Sequence, residues 1–217
     1  MHRSRVVWLA SAALLAPLVA RADDAPSPPA AARTAERRSG VVVGTAIGYG
    51  LAGASGYPNN ATLIGSPDFY SASNLMSGAN TTIFVMGALA DWVSFGFFIG
   101  GGTVQSSRWR SGSFEAGFRA EFFPLYRVHP ILRDLGVSAQ LGYASTNLAT
   151  KLPGVYPTST GSQSFVGAGV FYEFSIVKLL GGHIAGGPAL DYDSITAASI
   201  ERHGAILGGR FAFYGGM

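Results

Sequence analysis

Apolar and polar residues alternate one for one between Ser113 and Phe123, where Phe114, Ala116, Phe118, Ala120 and Phe122 interleave with Glu115, Gly117, Arg119 and Glu121. A helix would mix the two sets on one surface, whereas an extended strand separates them onto opposite faces. One face is then wholly apolar and the other carries two acids and an arginine. That division suits a strand with lipid on one side and a salt-bridged lumen on the other.

The same period recurs. Eight segments of about the 9–11 residues that a tilted spanning strand needs follow one another from Gly40 onward, at 41–52, 81–90, 93–105, 113–123, 137–145, 164–174, 183–193 and 204–214. In the first, Val43, Thr45, Ile47, Tyr49 and Leu51 oppose Gly44, Ala46, Gly48 and Gly50; the second is too uniformly apolar to assign a facing. The third sets Val93, Phe95, Phe97 and Ile99 against Ser94, Gly96, Phe98 and Gly100, and the fifth sets Val137, Ala139, Leu141 and Tyr143 against Ser138, Gln140 and Gly142. The sixth turns Glu173 inward with Phe165 and Phe171 as lumen fillers. The seventh turns Asp191 and Asp193 inward, with Pro188 removing a ladder donor and implying a bulge. The eighth turns Arg210 and Tyr214 inward and Leu207, Phe211 and Phe213 outward. The predicted fold is all-β: an eight-stranded antiparallel up-and-down transmembrane β-barrel over residues 40–217.

Short turns on the periplasmic side and long loops outside would put 53–80, 106–112, 147–163 and 194–203 outside the cell. The turns near Asp91, at 124–136 and at 175–182 would then be periplasmic. The 124–136 turn is oversized, and its proline and glycine suit a short interfacial helix.

Ahead of the strands, residues 1–22 combine a basic start (Arg3, Arg5), an apolar stretch and Ala20-Arg21-Ala22, the signature of a cleavable signal peptide. Residues 23–39 form a Pro/Ala-rich periplasmic leader without apolar periodicity, outside the fold. Removing Arg3, Arg5 and Arg21 leaves 12 basic against 12 acidic residues, so no basic footprint for nucleic acid remains. Charged residues are only 12% of the chain, half the usual share for a soluble domain. Without cysteine, lipoprotein acylation, disulfides and thiolate ligation are excluded.

Through Val43-Gly44-Thr45-Ala46-Ile47-Gly48-Tyr49-Gly50 and the closing Gly208-Gly209-Arg210-Phe211-Ala212-Phe213-Tyr214, the chain resembles the small eight-stranded outer-membrane barrels of Gram-negative bacteria, the OmpA, OmpX and OmpW-like group. The resemblance implies residence in the outer membrane, contact with its lipid and lipopolysaccharide, and handling by the barrel-assembly machinery. That machinery recognises a terminal aromatic residue, whereas this chain adds Gly215-Gly216-Met217 after Tyr214.

The inward charges Glu115, Arg119, Glu121, Glu173, Asp191, Asp193 and Arg210 form a candidate lumen network, because an unpaired ion in a confined interior costs several kcal/mol. Two readings follow. The network is a plug that fills a narrow barrel, or the inward glycines leave room for water or a small apolar solute in a porin-like passage. The leading expectation is a non-enzymatic barrel that is structural, adhesive or a narrow pore, with no cofactor, metal or catalytic residue. An alternative is an outer-membrane lipid hydrolase using His203 with Ser199 and Glu201, a hydroxyl, carboxylate and imidazole at alternate positions. A third is a soluble lipocalin-like barrel with the faces reversed. Gly48-Tyr49-Gly50-Leu51-Ala52-Gly53 matches a dinucleotide fingerprint, but no helix pattern follows it. His129 and His183 do not pair as metal ligands.

Overall fold

Residues 38–128, 131–152, 159–179 and 181–216 are described by the computed structural model; the expected signal peptide and nearly all of the expected leader lie outside them. The strands are β1 (Gly40–Gly56), β2 (Ser71–Ala72), β3 (Met76–Ala90), β4 (Val93–Gln105), β5 (Trp109–Phe122), β6 (Leu135–Thr150), β7 (Ser159–Tyr172), β8 (Phe174–Leu179), β9 (Gly182–Thr196) and β10 (Ile200–Gly215). Antiparallel neighbours run β10-β1-β3-β4-β5-β6-β7-β9, and β9 pairs back onto β10. The sheet is therefore a closed eight-stave barrel without a free edge. The two-residue β2 only extends the end of β1, and β7 with β8 makes one stave facing β9.

Closure sorts side chains by parity. Val43, Ile47, Tyr49, Phe97, Phe118, Leu141, Tyr143, Val166, Leu190, Leu207 and Phe211 are exposed on the exterior, while Phe98, Glu115, Arg119, Glu121, Phe165, Phe171, Asp193, Arg210 and Tyr214 are buried inside. The second segment, which sequence leaves unassigned, turns Phe84 and Met86 inward and Ile83 and Val85 outward. Apolar side chains outside and ions inside reverse the ordinary arrangement of a soluble barrel, including the lipocalin-like one. No described helix is long and apolar enough to cross a membrane, which says nothing of a barrel's strands.

The staves run well past the apolar belt, so the connections are shorter than the sequence suggests. The 106–112 loop reduces to 106–108, 147–163 to 151–158, 194–203 to 197–199 and the 175–182 turn to 180–181. Polar and β-branched residues carry the ladders beyond the belt: Gly112 N–H donates to Asn147 Oδ1 (2.7 Å) and the Thr146 hydroxyl donates to the Gly112 carbonyl (2.8 Å). The largest connection, 57–75, holds a single 3-10 turn at Pro67–Phe69. In place of the expected interfacial helix, the 124–136 connection contains one 3-10 turn at Leu132–Asp134; His129 and Pro130 lie outside the described residues. Opposite Pro188 the β7–β9 ladder is interrupted between Phe171↔Ala189 and Phe174↔Gly186 with its register unchanged; the shift comes further on, between Ser175 and Val177. Pro188 thus interrupts the ladder without the expected bulge, because its strand keeps its register on both sides of the gap.

Candidate functional site

Strand parity places the ions of the lumen. On β5, Glu115, Arg119 and Glu121 point inward with Gly117 between them, and β10 contributes Arg202, Arg210 and Tyr214 at even positions. The Arg210 fork grips Glu121 through Nε to Oε1 (3.0 Å) and Nη2 to Oε2 (2.5 Å), and its Nη1 donates to Glu173. Arg119 Nε adds a 2.8 Å bond to Glu121 Oε1, and the Tyr214 hydroxyl donates to Glu173 Oε1 at 2.6 Å. Both guanidinium groups also lie beside the Phe84 ring, at 5.1 Å from Arg119 and 4.9 Å from Arg210. Bidentate, charge-assisted bonds of this kind lock geometry as well as neutralise charge.

A further cation comes from a residue that sequence places in the leader. Arg38 is buried: Nη2 donates to Asp134 Oδ1 (2.9 Å), Nε to Glu173 Oε2 (3.3 Å) and Nη1 to the Asp91 carbonyl (3.3 Å). Its guanidinium lies 3.5 Å over the Phe123 ring. The Tyr126 hydroxyl donates to Asp91 Oδ2 at 2.8 Å, and burial, together with that bond and the Asp91 charge, pushes its pKa up. This mouth of the barrel is therefore tied shut by Arg38, Asp91, Asp134, Glu173 and Tyr126.

Nearer the loop end a second tier forms. The Ser113 hydroxyl donates to Glu115 Oε1 (2.8 Å), and Arg202 Nη1 lies 3.6 Å from the same oxygen, an ion pair beyond hydrogen-bond length. Asp193 is buried, and Asp191, partly buried, accepts a long 3.4 Å bond from Ser138. Sequence reasoning misses Arg202, although Ile200 and Arg202 share its inward parity with Gly204. Beyond this tier Ala52, Ala54, Met76, Val104, Leu148 and Ile200 close the loop end as an apolar plug.

Several inward glycines leave no free space. The Phe84 ring occupies the place of a Gly44 side chain, Phe171 that of Gly136, and the Asp191 carboxylate that of Gly169. One pocket in mid-lumen, beside Asn80, Thr82, Gln140, Asp191 and Asp193, has about 10 Å³, room for about one water.

The hydrolase constellation does not assemble. Ser199 is buried in the bend before β10, while Glu201 and His203 are exposed on the exterior, where the Tyr192 hydroxyl and His203 Nδ1 share a 3.1 Å hydrogen bond. Residue 199 precedes the strand, so the alternation that aligns 201 with 203 does not reach it. Glycines 48, 50 and 53 lie within β1, with no helix after them. His183 stacks on Tyr214 at 4.9 Å, and no cluster of metal-binding side chains occurs among the described residues.

These features define a closed, eight-stranded, inside-out barrel with an ion-paired interior. The solved structures it resembles include Neisserial surface protein A (10% identity over 80% of this chain and 96% of that one, TM-score 0.44). They also include Ail, the attachment invasion locus protein of Yersinia pestis (13%, 81% and 99%, 0.45), and the outer membrane protein OprG from Pseudomonas aeruginosa (9%, 82% and 98%, 0.41). No family model and no curated protein matches the chain.

Proposed function

We propose that the chain is a non-enzymatic outer-membrane barrel whose lumen is a structural core and whose work is done by its outward surface. One observation carries this reading: the Arg119–Glu121–Arg210–Glu173 cluster, with Phe84 and Phe171 packed against its guanidinium groups, spans the bore as a buried, ion-paired core. A channel needs a continuous wet path, and a bridged, aromatic-lined cluster across the bore favours a core over a passage. The exterior belt of Ile47, Phe97, Phe118, Leu141 and Leu207 supports membrane insertion. The 57–75 connection, with exposed Phe69, Tyr70 and Leu75, is the broadest surface offered for adhesion. Barrel-assembly machinery is the partner that would insert it.

Planar-bilayer recording tests the closed lumen. The wild-type barrel, inserted in neutral lipid, is expected to show no unitary conductance, and steady ion-selective openings would restore the narrow-pore reading. Fractionation of expressing cells tests the placement: the protein should pellet with outer membrane, and recovery from the soluble periplasmic fraction would overturn it.

A further inference from the structure

On the exterior, the apolar belt ends near the loop side in a row of different chemistry. Leu51↔Ser77, Ser77↔Gln105 and Gln105↔Arg110 are successive cross-strand partners on β1, β3, β4 and β5, so one level of the wall carries a hydroxyl, an amide and a guanidinium side by side. Lys151 joins this row from the connection after β6. Its Nζ donates to Gln105 Oε1 (3.1 Å) and to the Ser106 carbonyl (2.8 Å), which holds the ammonium over the wall with one donor still free. Tyr49 and Ser77 share a 2.9 Å hydroxyl bond at the other side. Together Tyr49, Ser77, Thr103, Gln105, Arg110 and Lys151 line an open groove of about 740 Å³.

The charge in this groove is of one sign. Arg110 and Lys151 are exposed, as is Arg108 in the adjoining turn, and none of the three forms an ion pair among the described residues. Among the described residues no acid lines the groove. Further down the wall toward the belt, past Thr103 and Gly112, stand Phe114 on β5, Ile99 on β4 and Tyr143 on β6, all exposed. An occupant that satisfies both halves has an anionic head at the Arg110–Lys151 level and hydrocarbon running down the Ile99–Phe114–Tyr143 face. A free anion would use only the first half. An unmodified acyl chain would use only the second.

We infer that this groove binds the anionic phosphomonoester headgroup of a membrane lipid, with Arg110 and Lys151 on the phosphate oxygens, Tyr49 and Ser77 beside them, and the acyl chains on the apolar wall. A guanidinium fork and an ammonium suit a phosphomonoester, which presents several acceptor oxygens and up to two charges. The inference rests on the membrane placement proposed above and gives that placement a fixed depth, because the lipid's phosphate level would coincide with the Gln105–Arg110 row.

Native mass spectrometry of the full chain in nonionic detergent, with equimolar dioleoyl phosphatidic acid and dioleoyl phosphatidylcholine, tests it. Phosphatidic acid should be retained at least about tenfold over phosphatidylcholine. The double variant Arg110→Gln with Lys151→Gln should lose that preference, while Arg133→Gln, at the opposite mouth, should keep it. Equal retention of the two lipids by the wild type, or a preference that survives in the double variant, would overturn the site. Excess glycerol 3-phosphate should not displace the lipid; if it does, the groove is a free-phosphate site and the lipid assignment falls. Insertion into phosphatidylcholine bilayers is read separately, since wild type and double variant should both insert. Failure of both would strike the membrane placement itself, whereas insertion without lipid preference would strike only the groove.

Discussion

Replacing Arg210 with methionine keeps most of the side chain's volume and removes its charge, which isolates what the fork contributes. Three bonds to carboxylates disappear, two on Glu121 and one on Glu173, along with the packing of the guanidinium on Phe84 and Phe171. Removing one partner of a buried ion pair costs about 3–5 kcal/mol, most of it the penalty of the charge left behind. Here the lower end of that range is expected, because Arg119 stays on Glu121 and Arg38 on Glu173. Arg210→Lys should recover only part of the loss, since an ammonium restores charge but cannot span both oxygens of Glu121. Urea unfolding in detergent micelles, followed by the fluorescence of Trp92 and Trp109, measures all three proteins. If Arg210→Met costs less than about 1 kcal/mol, the value of an exposed pair, the lumen is wet and the cluster is not a core.

Phe118 sits on the outer wall against Phe95 and Phe97, with ring centroids 5.7 and 4.8 Å away. Phe118→Arg should cost about 2–4 kcal/mol by folding into lipid vesicles, as a cation near the bilayer midplane does, while Ser107→Arg in the exposed turn should be silent. Arg38→Ala should destabilise by about 1.5–3 kcal/mol through lost charged hydrogen bonds, and a double-mutant cycle with Asp134→Asn should show coupling between the two. Tyr126, with its pKa raised in the folded barrel, contributes stability that is present below its unfolded value of about 10 and is lost as pH climbs through the folded value. Tyr126→Phe should therefore flatten the alkaline limb of a stability-pH profile, measured beside an ultraviolet titration of the phenol.

Strand facing is legible in the sequence wherever the two faces differ in chemistry. Phe114 and Phe118 against Glu115 and Arg119 allow only one assignment, whereas residues 81–90 are apolar on both faces and withhold it until the barrel closes. Stave length is not legible. Ser111, Gly112, Thr146 and Asn147 look like loop because hydropathy carries no signal once both faces are polar, yet their backbones continue the ladder. Arg38 is hidden by its Pro/Ala-rich surroundings, since a single inward residue has no period. Arg202 is hidden between Glu201 and His203, which face out. The glycines mislead in another way: each marks a missing side chain, but only the structure shows whose ring or carboxylate fills the space.

The seam between β1 and β10, which runs from Val41↔Gly215 to Gly56↔Ile200, has a consequence for how the molecule is made. It joins the two ends of the folded chain, so its contacts have the longest sequence separation in the protein, and loop-closure entropy must be met before any of them forms. At its middle, Gly48 faces Gly208 and Ile47 faces Gly209, so little side-chain interlock fixes the alignment. A slip by two residues would preserve the inside-out parity. It would also carry Arg210 and Tyr214 away from Glu121 and Glu173. The buried ions thus disfavour a wrong register at this seam: a barrel closed two residues out of step would separate Arg210 from Glu121 and Glu173 and leave buried charges unpaired.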